Sequence, residues 1–151
     1  MRRPESEPSA LVRVVAWLLL GPSVLVAAGL IVKGYAEVGD GFGAGVIVAL
    51  AIAVNYVAFG TAGAEAALPA LRYAPATAIA GLLLAIASGF FSVALGDPPV
   101  THQPGPGEHV IKIGTAELFT PLVFDVGIFL LVVAVLTVLV HQLAHREEDF
   151  G

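Results

Sequence analysis

Four long apolar runs, separated by more polar connections, dominate the chain. They cover about residues 11–32, 41–60, 74–95 and 118–143. Each run has about 20 residues or more, and at about 1.5 Å per helical residue it can cross a hydrocarbon layer of about 30 Å. None alternates apolar and polar positions as a β-barrel strand does. The pattern predicts an all-α integral membrane protein with four transmembrane helices.

The composition also indicates that most of the protein's surface faces lipid. Hydrophobic residues make up 58% of the 151 residues and charged residues 13%, whereas a soluble domain carries about 25% charged residues. The length predicts a single domain over residues 1–151. The net charge of -5 gives no reason to expect a nucleic-acid partner. The chain has no cysteine, which excludes disulfides and thiolate-held metal centres.

The first apolar run is predicted to be a membrane anchor. Arginines precede it, as they do in a cleaved signal peptide, but Glu5 and Glu7 dilute that basic region. The run is also longer than the apolar core of a signal peptide. The anchor interpretation is therefore preferred.

The distribution of basic residues predicts an orientation. Four spans put both termini on one side of the membrane. That side holds five basic residues, namely Arg2, Arg3, Arg13, Arg72 and Arg146. The other side holds two, Lys33 and Lys112. The positive-inside rule then predicts that both termini are cytoplasmic.

Asp125 is the polar residue that most needs a reason, because it lies inside the fourth apolar run. A carboxylate at the centre of a membrane helix costs about 2.5–3.5 kcal/mol on insertion scales. Such residues usually belong to a proton or ion pathway, or form a polar contact with another helix. Both interpretations remain open for Asp125, and so does a third, an acid without a role at the edge of the lipid.

Two further acids are candidates for the ion path. Glu117 is predicted to open the fourth helix, where an acid also complements the helix dipole and Thr115 is a plausible cap. Asp40 opens the second helix, either as its N-cap or within unwound backbone that lines a water-filled cavity. Glycines surround it at positions Gly39, Gly41, Gly43 and Gly45.

Small residues recur every four positions in the second and third helices. The second helix has Gly41, Gly45, Ala49 and Ala53, and the third has Thr77, Gly81, Ala85 and Gly89. Such stripes let helix backbones approach closely in lipid. They predict that these helices pack tightly, against each other or against a neighbouring subunit. Asn55 is predicted to donate a hydrogen bond between helices, and Pro22 to kink the first helix.

No constellation of an enzyme is present. The sequence lacks a Walker A motif, a dinucleotide fingerprint and a nucleophile elbow. The histidines are His102, His109, His141 and His145, and none lies near the centre of a span, which disfavours a bis-histidine haem. A Pro- and Gly-rich loop carries His102 and His109, so they are expected to be solvated rather than to bind metal. We expect no catalysis, no cofactor and no metal site.

Residues 114–130 resemble the last helix of the MnhB family, whose members are subunits of multisubunit Mrp-type Na+/H+ antiporters and have relatives in membrane-bound hydrogenases. The family's Phe-Asp-(Ile/Val)-Gly-Val segment corresponds here to Phe124-Asp125-Val126-Gly127-Ile128. A second resemblance lies in the glycine-rich start of the second helix, which contains Gly41, Phe42, Gly43 and Gly45. The family usually has a Gly-His pair and a proline before these glycines, where this chain has Glu37, Val38 and Asp40. The resemblance covers about residues 33–60 and 110–143.

The resemblance implies a non-catalytic subunit of a large cation/proton antiporter complex in a bacterial or archaeal cell membrane. Its partners would be the other subunits and the lipid bilayer, and the transported ions would be Na+ and H+. Asp125 would be the ion-path or coupling residue, and Phe124 and Gly127 would shape its packing. The glycine segment is the other matched motif.

Two alternatives come from other functional classes. A homo-oligomer of four-helix chains would be a self-sufficient transporter that uses Asp125 alone. A structural subunit of a membrane-bound hydrogenase-like complex would use Asp125 only to contact a neighbour. The sequence leaves open which cation moves, the stoichiometry, and whether the complex is an antiporter or redox-driven.

Overall fold

The computed structural model describes residues 9–33, 39–94, 96, 98–99, 112–113, 116–117 and 120–150. In these residues it contains four α-helices, a 3₁₀ turn at Pro69–Tyr73 and two short strands. The helices are α1 (Ala10–Lys33), α2 (Asp40–Ala67), α3 (Ala74–Ala94) and α4 (Thr120–Phe150). All four spans that the apolar runs predict are long and apolar enough to cross a membrane, which confirms the fold class. The termini's membrane side stays a prediction, and Arg2, Arg3, His102, His109 and Thr115 lie outside the described residues.

The second helix is longer than the apolar run predicts. It continues past Gly60 to Ala67 because the segment after Gly60 is rich in alanine, which favours helix. Gly60 itself has φ 69° and ψ 177°, so the helix is interrupted there. The connection to α3 is correspondingly short and contains the 3₁₀ turn.

The prediction that Glu117 opens the fourth helix is wrong. Strand β1 (Lys112–Ile113) pairs with strand β2 (Ala116–Glu117) in antiparallel register, with Lys112 opposite Glu117. Helix α4 begins only at Thr120. Pro121 explains this start, because proline has no N–H to donate and is favoured in the first helical turn. Glu117 therefore precedes α4 and shares no helical face with Asp125.

The helices lie side by side in the order α1, α2, α4, α3. Extensive contacts join α1 to α2, α2 to α4, and α4 to α3, whereas α1 barely touches α4. The two small-residue stripes therefore do not pack on each other. Both pack on α4, which lies between α2 and α3. A Cβ at Gly45 of α2 would lie 2.8 Å from the Cβ of Val132, and one at Gly81 of α3 would lie 2.6 Å from the backbone N of Leu131.

Asn55 joins α2 to α1, as predicted. Its side chain is buried, and Nδ2 donates hydrogen bonds to the carbonyl oxygens of Ala16 at 3.0 Å and Ala51 at 2.8 Å. Ala27 of α1 packs in the core cluster with Val48 and other side chains of α2. The remaining surface of α1 is apolar and exposed, with Leu11, Trp17, Leu25 and Val32 at its most open positions. Such a surface suits lipid or a neighbouring membrane subunit.

We predict that Asn55→Ala destabilises the protein by about 1 kcal/mol, because interhelical side-chain hydrogen bonds in membrane proteins contribute about 0.6 kcal/mol on average and up to about 1.7. Thermal unfolding of the purified protein in mild detergent measures this loss. Val57→Ala is the matched control, since Val57 lies two residues away and is 80% exposed. Equal unfolding temperatures for the two variants would contradict the structural role of Asn55.

Candidate functional site

The carboxylate of Asp125 meets the N-terminus of α2. Asp125 lies in the second turn of α4 and is 1% exposed. The backbone N–H of Gly39 donates to both of its oxygens, at 3.1 Å to Oδ1 and 3.3 Å to Oδ2. Gly39 caps α2 with φ 123°, a conformation that favours glycine. The acid that the sequence singled out thus has an intrachain partner.

The position of Asp125 compensates part of the cost of its burial. The first N–H groups of a helix have no intrahelical acceptor, and the helix dipole places partial positive charge at that end. A negative charge next to a helix N-terminus gains about 0.3–1 kcal/mol, and up to about 2 kcal/mol in a partly buried geometry. This gain is of the same order as the insertion cost of about 2.5–3.5 kcal/mol. The start of α2 is therefore a suitable neighbour for an anionic side chain.

Gly41 allows this close approach of α2 and α4. A Cβ at position 41 would lie 2.8 Å from the carbonyl carbon of Asp125 and 2.9 Å from its Cα. Both atoms belong to the backbone and cannot rotate away. At Gly43, in contrast, a Cβ would meet no atom within 4 Å, and Phe42 is 61% exposed. Within the described residues, Gly41 and Gly45 therefore lie against α4, whereas Gly43 faces open space and Phe42 is exposed.

The Phe-Asp-Val-Gly segment contacts two helices at once. Asp125 bonds the start of α2, whereas a Cβ at Gly127 would lie 2.7 Å from the backbone N of Ala85 and 2.9 Å from the carbonyl oxygen of Gly81, both in α3. Phe124 is half-buried, and its ring lies next to Gly89 of α3. Phe124 and Gly127 therefore pack α3 onto α4, and this segment of α4 lies between α2 and α3.

Asp40 does not cap α2, contrary to one of the two predictions for it. Gly39 occupies the cap position and Asp40 is the first helical residue, without a side-chain cap hydrogen bond. The alternative of unwound backbone is also wrong, because the glycines from Gly41 onward are helical. The Oδ2 atom of Asp40 lies 3.5 Å from Nζ of Lys33, an ion pair without hydrogen-bond geometry. Lys33 is largely exposed, so this pair contributes at most about 1 kcal/mol.

Asp125, Asp40 and the backbone of Glu117 all belong to the end of the bundle where α2 and α4 begin. The side chain of Glu117 is outside the described part of the chain, so its ion-path role stays a prediction. The interactions shown for Asp125 and Asp40 are with Gly39 and Lys33, respectively.

A second polar cluster, at the opposite end of α2 and α4, has no counterpart in the sequence-based predictions. Oε1 of Glu65 lies 2.8 Å from Nδ1 of His141, and the rings of His141 and His145 are 4.7 Å apart. The sequence does indicate part of this cluster, because the four-residue spacing of the two histidines places them on one helical face. Glu65 lies on another helix, and only the packing of α2 on α4 brings it to them.

Comparison with known proteins matches most of the chain to one family. The MnhB family, described as "Domain related to MnhB subunit of Na+/H+ antiporter", matches residues 11–138. The B subunit of the Na(+)/H(+) antiporter from Alkalihalophilus pseudofirmus is 33% identical over 139 residues, which cover 92% of this chain and 90% of the relative. The protein of the same name from Bacillus subtilis is 32% identical over 119 residues, covering 78% of this chain and 80% of the relative. With α1 to α3 and most of α4 inside the matched region, the chain belongs to the MnhB family.

Proposed function

We propose that this protein is a non-catalytic subunit of a multisubunit cation/proton antiporter, with Na+ and H+ as the transported ions. Its partners are the other subunits of that complex, and its setting is a bacterial or archaeal cell membrane with both termini in the cytoplasm. All of residues 1–151 form one domain in this proposal. The observation that carries it is the buried carboxylate of Asp125 at the α2–α4 junction, within the region matched to the antiporter family.

Asp125 is suited to couple ion occupancy to helix position. A carboxylate accepts a charge-assisted hydrogen bond, which is roughly twice as strong as a neutral one. When Asp125 takes up a proton or faces a cation, its bond to Gly39 N–H weakens and the attraction to the start of α2 falls. Because α2 and α4 are in close contact at Gly41, this loss of attraction acts directly between the two helices. Asp40, with Lys33, and Glu117 supply further charges at the same end.

The two helices that meet at Asp125 offer few polar groups for an ion to cross the membrane. Between Asp125 and Thr137, every α4 side chain is apolar or absent, and the same is true of α2 between Asp40 and Asn55. The α4 segment of about twelve residues spans about 18 Å. An ion crossing that distance needs polar groups, and other subunits are the natural source of them. This favours a subunit over a self-sufficient homo-oligomeric transporter.

Purification from the native operon tests the proposal. The tagged chain is expressed from its own operon, extracted in mild detergent and analysed by size and by mass spectrometry of the accompanying proteins. We expect large membrane subunits to accompany the chain in fixed ratio. A clean homo-oligomer without other subunits would contradict the proposal and favour the self-sufficient transporter. Co-purification of redox subunits would favour the hydrogenase-like alternative.

A further inference from the structure

The side chains of Glu65, His141 and His145 form a compact cluster of metal-binding groups at the end of the bundle away from Asp125. One potential ligand atom from each residue lies within 4.8 Å of the other two. His141 and His145 come from adjacent turns of α4, with ring planes at 89°, and Glu65 comes from the last turns of α2. We propose that these three residues bind a divalent transition-metal ion, for which Zn2+ is the probe. The inference does not rest on the proposed function.

The distances between the three potential ligand atoms are close to those found around such an ion. Zinc binds imidazole nitrogen and carboxylate oxygen at about 2.0–2.2 Å, so its ligand atoms in a tetrahedral site are about 3.3–3.6 Å apart. The contact of 2.8 Å between Glu65 and His141 must open slightly, and the separations of up to 4.8 Å must close. Glu65 and His145 are exposed and His141 is partly exposed, so these side chains have room to rotate.

The cluster's chemistry selects the class of ion. Two imidazoles and one carboxylate suit zinc, copper or nickel, whereas Na+, Mg2+ and Ca2+ prefer all-oxygen sites. The bound ion would therefore differ from an alkali cation carried by an antiporter. The chain contains no cysteine that would compete for a thiophilic metal. Three protein ligands leave one position for water, as in zinc sites with an open coordination position.

The surroundings supply a separate indication that this place holds a small polar ligand. A cavity of about 220 Å³ adjoins Glu65 and His141, and Tyr56 and Thr137 also line it. Such a volume holds several waters. The hydroxyl of Thr137, which is 3% exposed, has no hydrogen-bond partner among the described residues. The cavity therefore has room for waters next to Glu65 and His141.

The His141 side chain is already oriented for binding. Its Nδ1 already faces Oε1 of Glu65 at 2.8 Å, and the ring of Tyr56 lies edge-on to it at 6.2 Å. On binding, the ion would take the place of any proton on Nδ1. A bound ion would join the part of α2 that follows the interruption at Gly60 to the last turns of α4. The site would then hold the two helices together at this end, as the Asp125–Gly39 bond does at the other.

Zinc binding to the full-length chain, purified with its accompanying subunits, tests the inference. The affinity tag must contain no histidine, and Zn2+ affinity is measured by competition with a chromogenic chelator. We expect His145→Ala and Glu65→Gln each to weaken binding by about tenfold or more, since loss of even an outer-shell partner weakens metal sites by about 10- to 100-fold. Both side chains are exposed, so the variants are expected to fold.

The double variant His102→Ala/His109→Ala is the matched control, because it removes two histidines outside the cluster. It should bind Zn2+ like the wild type. Binding that is lost in this control but kept in His145→Ala and Glu65→Gln would overturn the inference. Cobalt substitution gives a second measurement that needs no variant. The wild type should show the intense visible bands of tetrahedral Co2+, and their absence would overturn the inference as well.

Discussion

Asp125→Asn is expected to leave the complex assembled while reducing cation/proton exchange at least about tenfold. Asparagine has nearly the same volume and keeps a carbonyl oxygen for the N–H of Gly39, but it carries no charge and cannot take up or release a proton near neutral pH. Hydrogen bonds to charged groups contribute about 1.5–3 kcal/mol and neutral ones about 0.5–1.5 kcal/mol. The cost in stability is therefore about 1 kcal/mol. Exchange is measured by sodium-driven proton movement in membrane vesicles, and assembly by co-purification.

Two other variants separate the roles of Asp125. Asp125→Ala removes the acceptor of the part-buried bond from the Gly39 N–H altogether, which costs up to about 3 kcal/mol and should weaken assembly as well. Asp149→Asn makes the same acid-to-amide change near the other end of α4 and should leave exchange unchanged. Retained exchange in Asp125→Asn would remove this residue from the mechanism. Loss of assembly in Asp125→Asn would make it a structural contact instead.

Gly41→Ala is expected to cause the largest loss of stability of any single-methyl change near the site. The added Cβ would lie within 3 Å of the Asp125 backbone, so α2 and α4 must separate. Overpacking of a core usually costs about 1–3 kcal/mol, and a backbone obstacle places this variant at the upper end or beyond. We expect a strong drop in the unfolding temperature and in the yield of assembled complex.

Gly43→Ala is the matched control for this change. It lies two residues away in the same helix, and a Cβ there would meet no atom within 4 Å in this chain. Replacing a helical glycine by alanine gains about 0.5–1 kcal/mol where space allows. The control should therefore be as stable as the wild type or slightly more stable. Similar losses in both variants would contradict the close α2–α4 contact at Asp125.

The number of spans, and the presence of a carboxylate inside the fourth, are accessible from the sequence. Long apolar runs fix span number because every buried backbone group in lipid must bond within its own helix. A carboxylate inside such a run stands out because placing a charged side chain in lipid is costly. The motif around Asp125 also indicates the family from the sequence alone.

The neighbours of each helix could not be predicted in the same way. Lipid is as apolar as a packed helix interface, so hydrophobic periodicity does not mark the buried face of a membrane helix. The small-residue stripes identified the packing faces of α2 and α3 but not α4 as their shared partner. The Gly81–Gly127 crossing depends on residues that are about 46 positions apart and has no local signal.

Local helix signals misled the interpretation at two places. The apolar residues that follow Glu117 directly predict a helix there, but Pro121 sets the start of α4 at Thr120. Asp40 was a plausible cap by residue type, yet Gly39 occupies that position because its N–H reaches Asp125. In both cases a tertiary contact or a proline outweighed a propensity of about 1 kcal/mol.

Reconstitution into liposomes tests most directly whether this chain acts as one subunit of an antiporter. Sodium-driven proton movement is measured with the chain alone, with the complex lacking the chain, and with the two combined. The proposal predicts no exchange in the first two preparations and exchange in the third. Exchange by the chain alone, or undiminished exchange by the complex without it, would contradict the proposal.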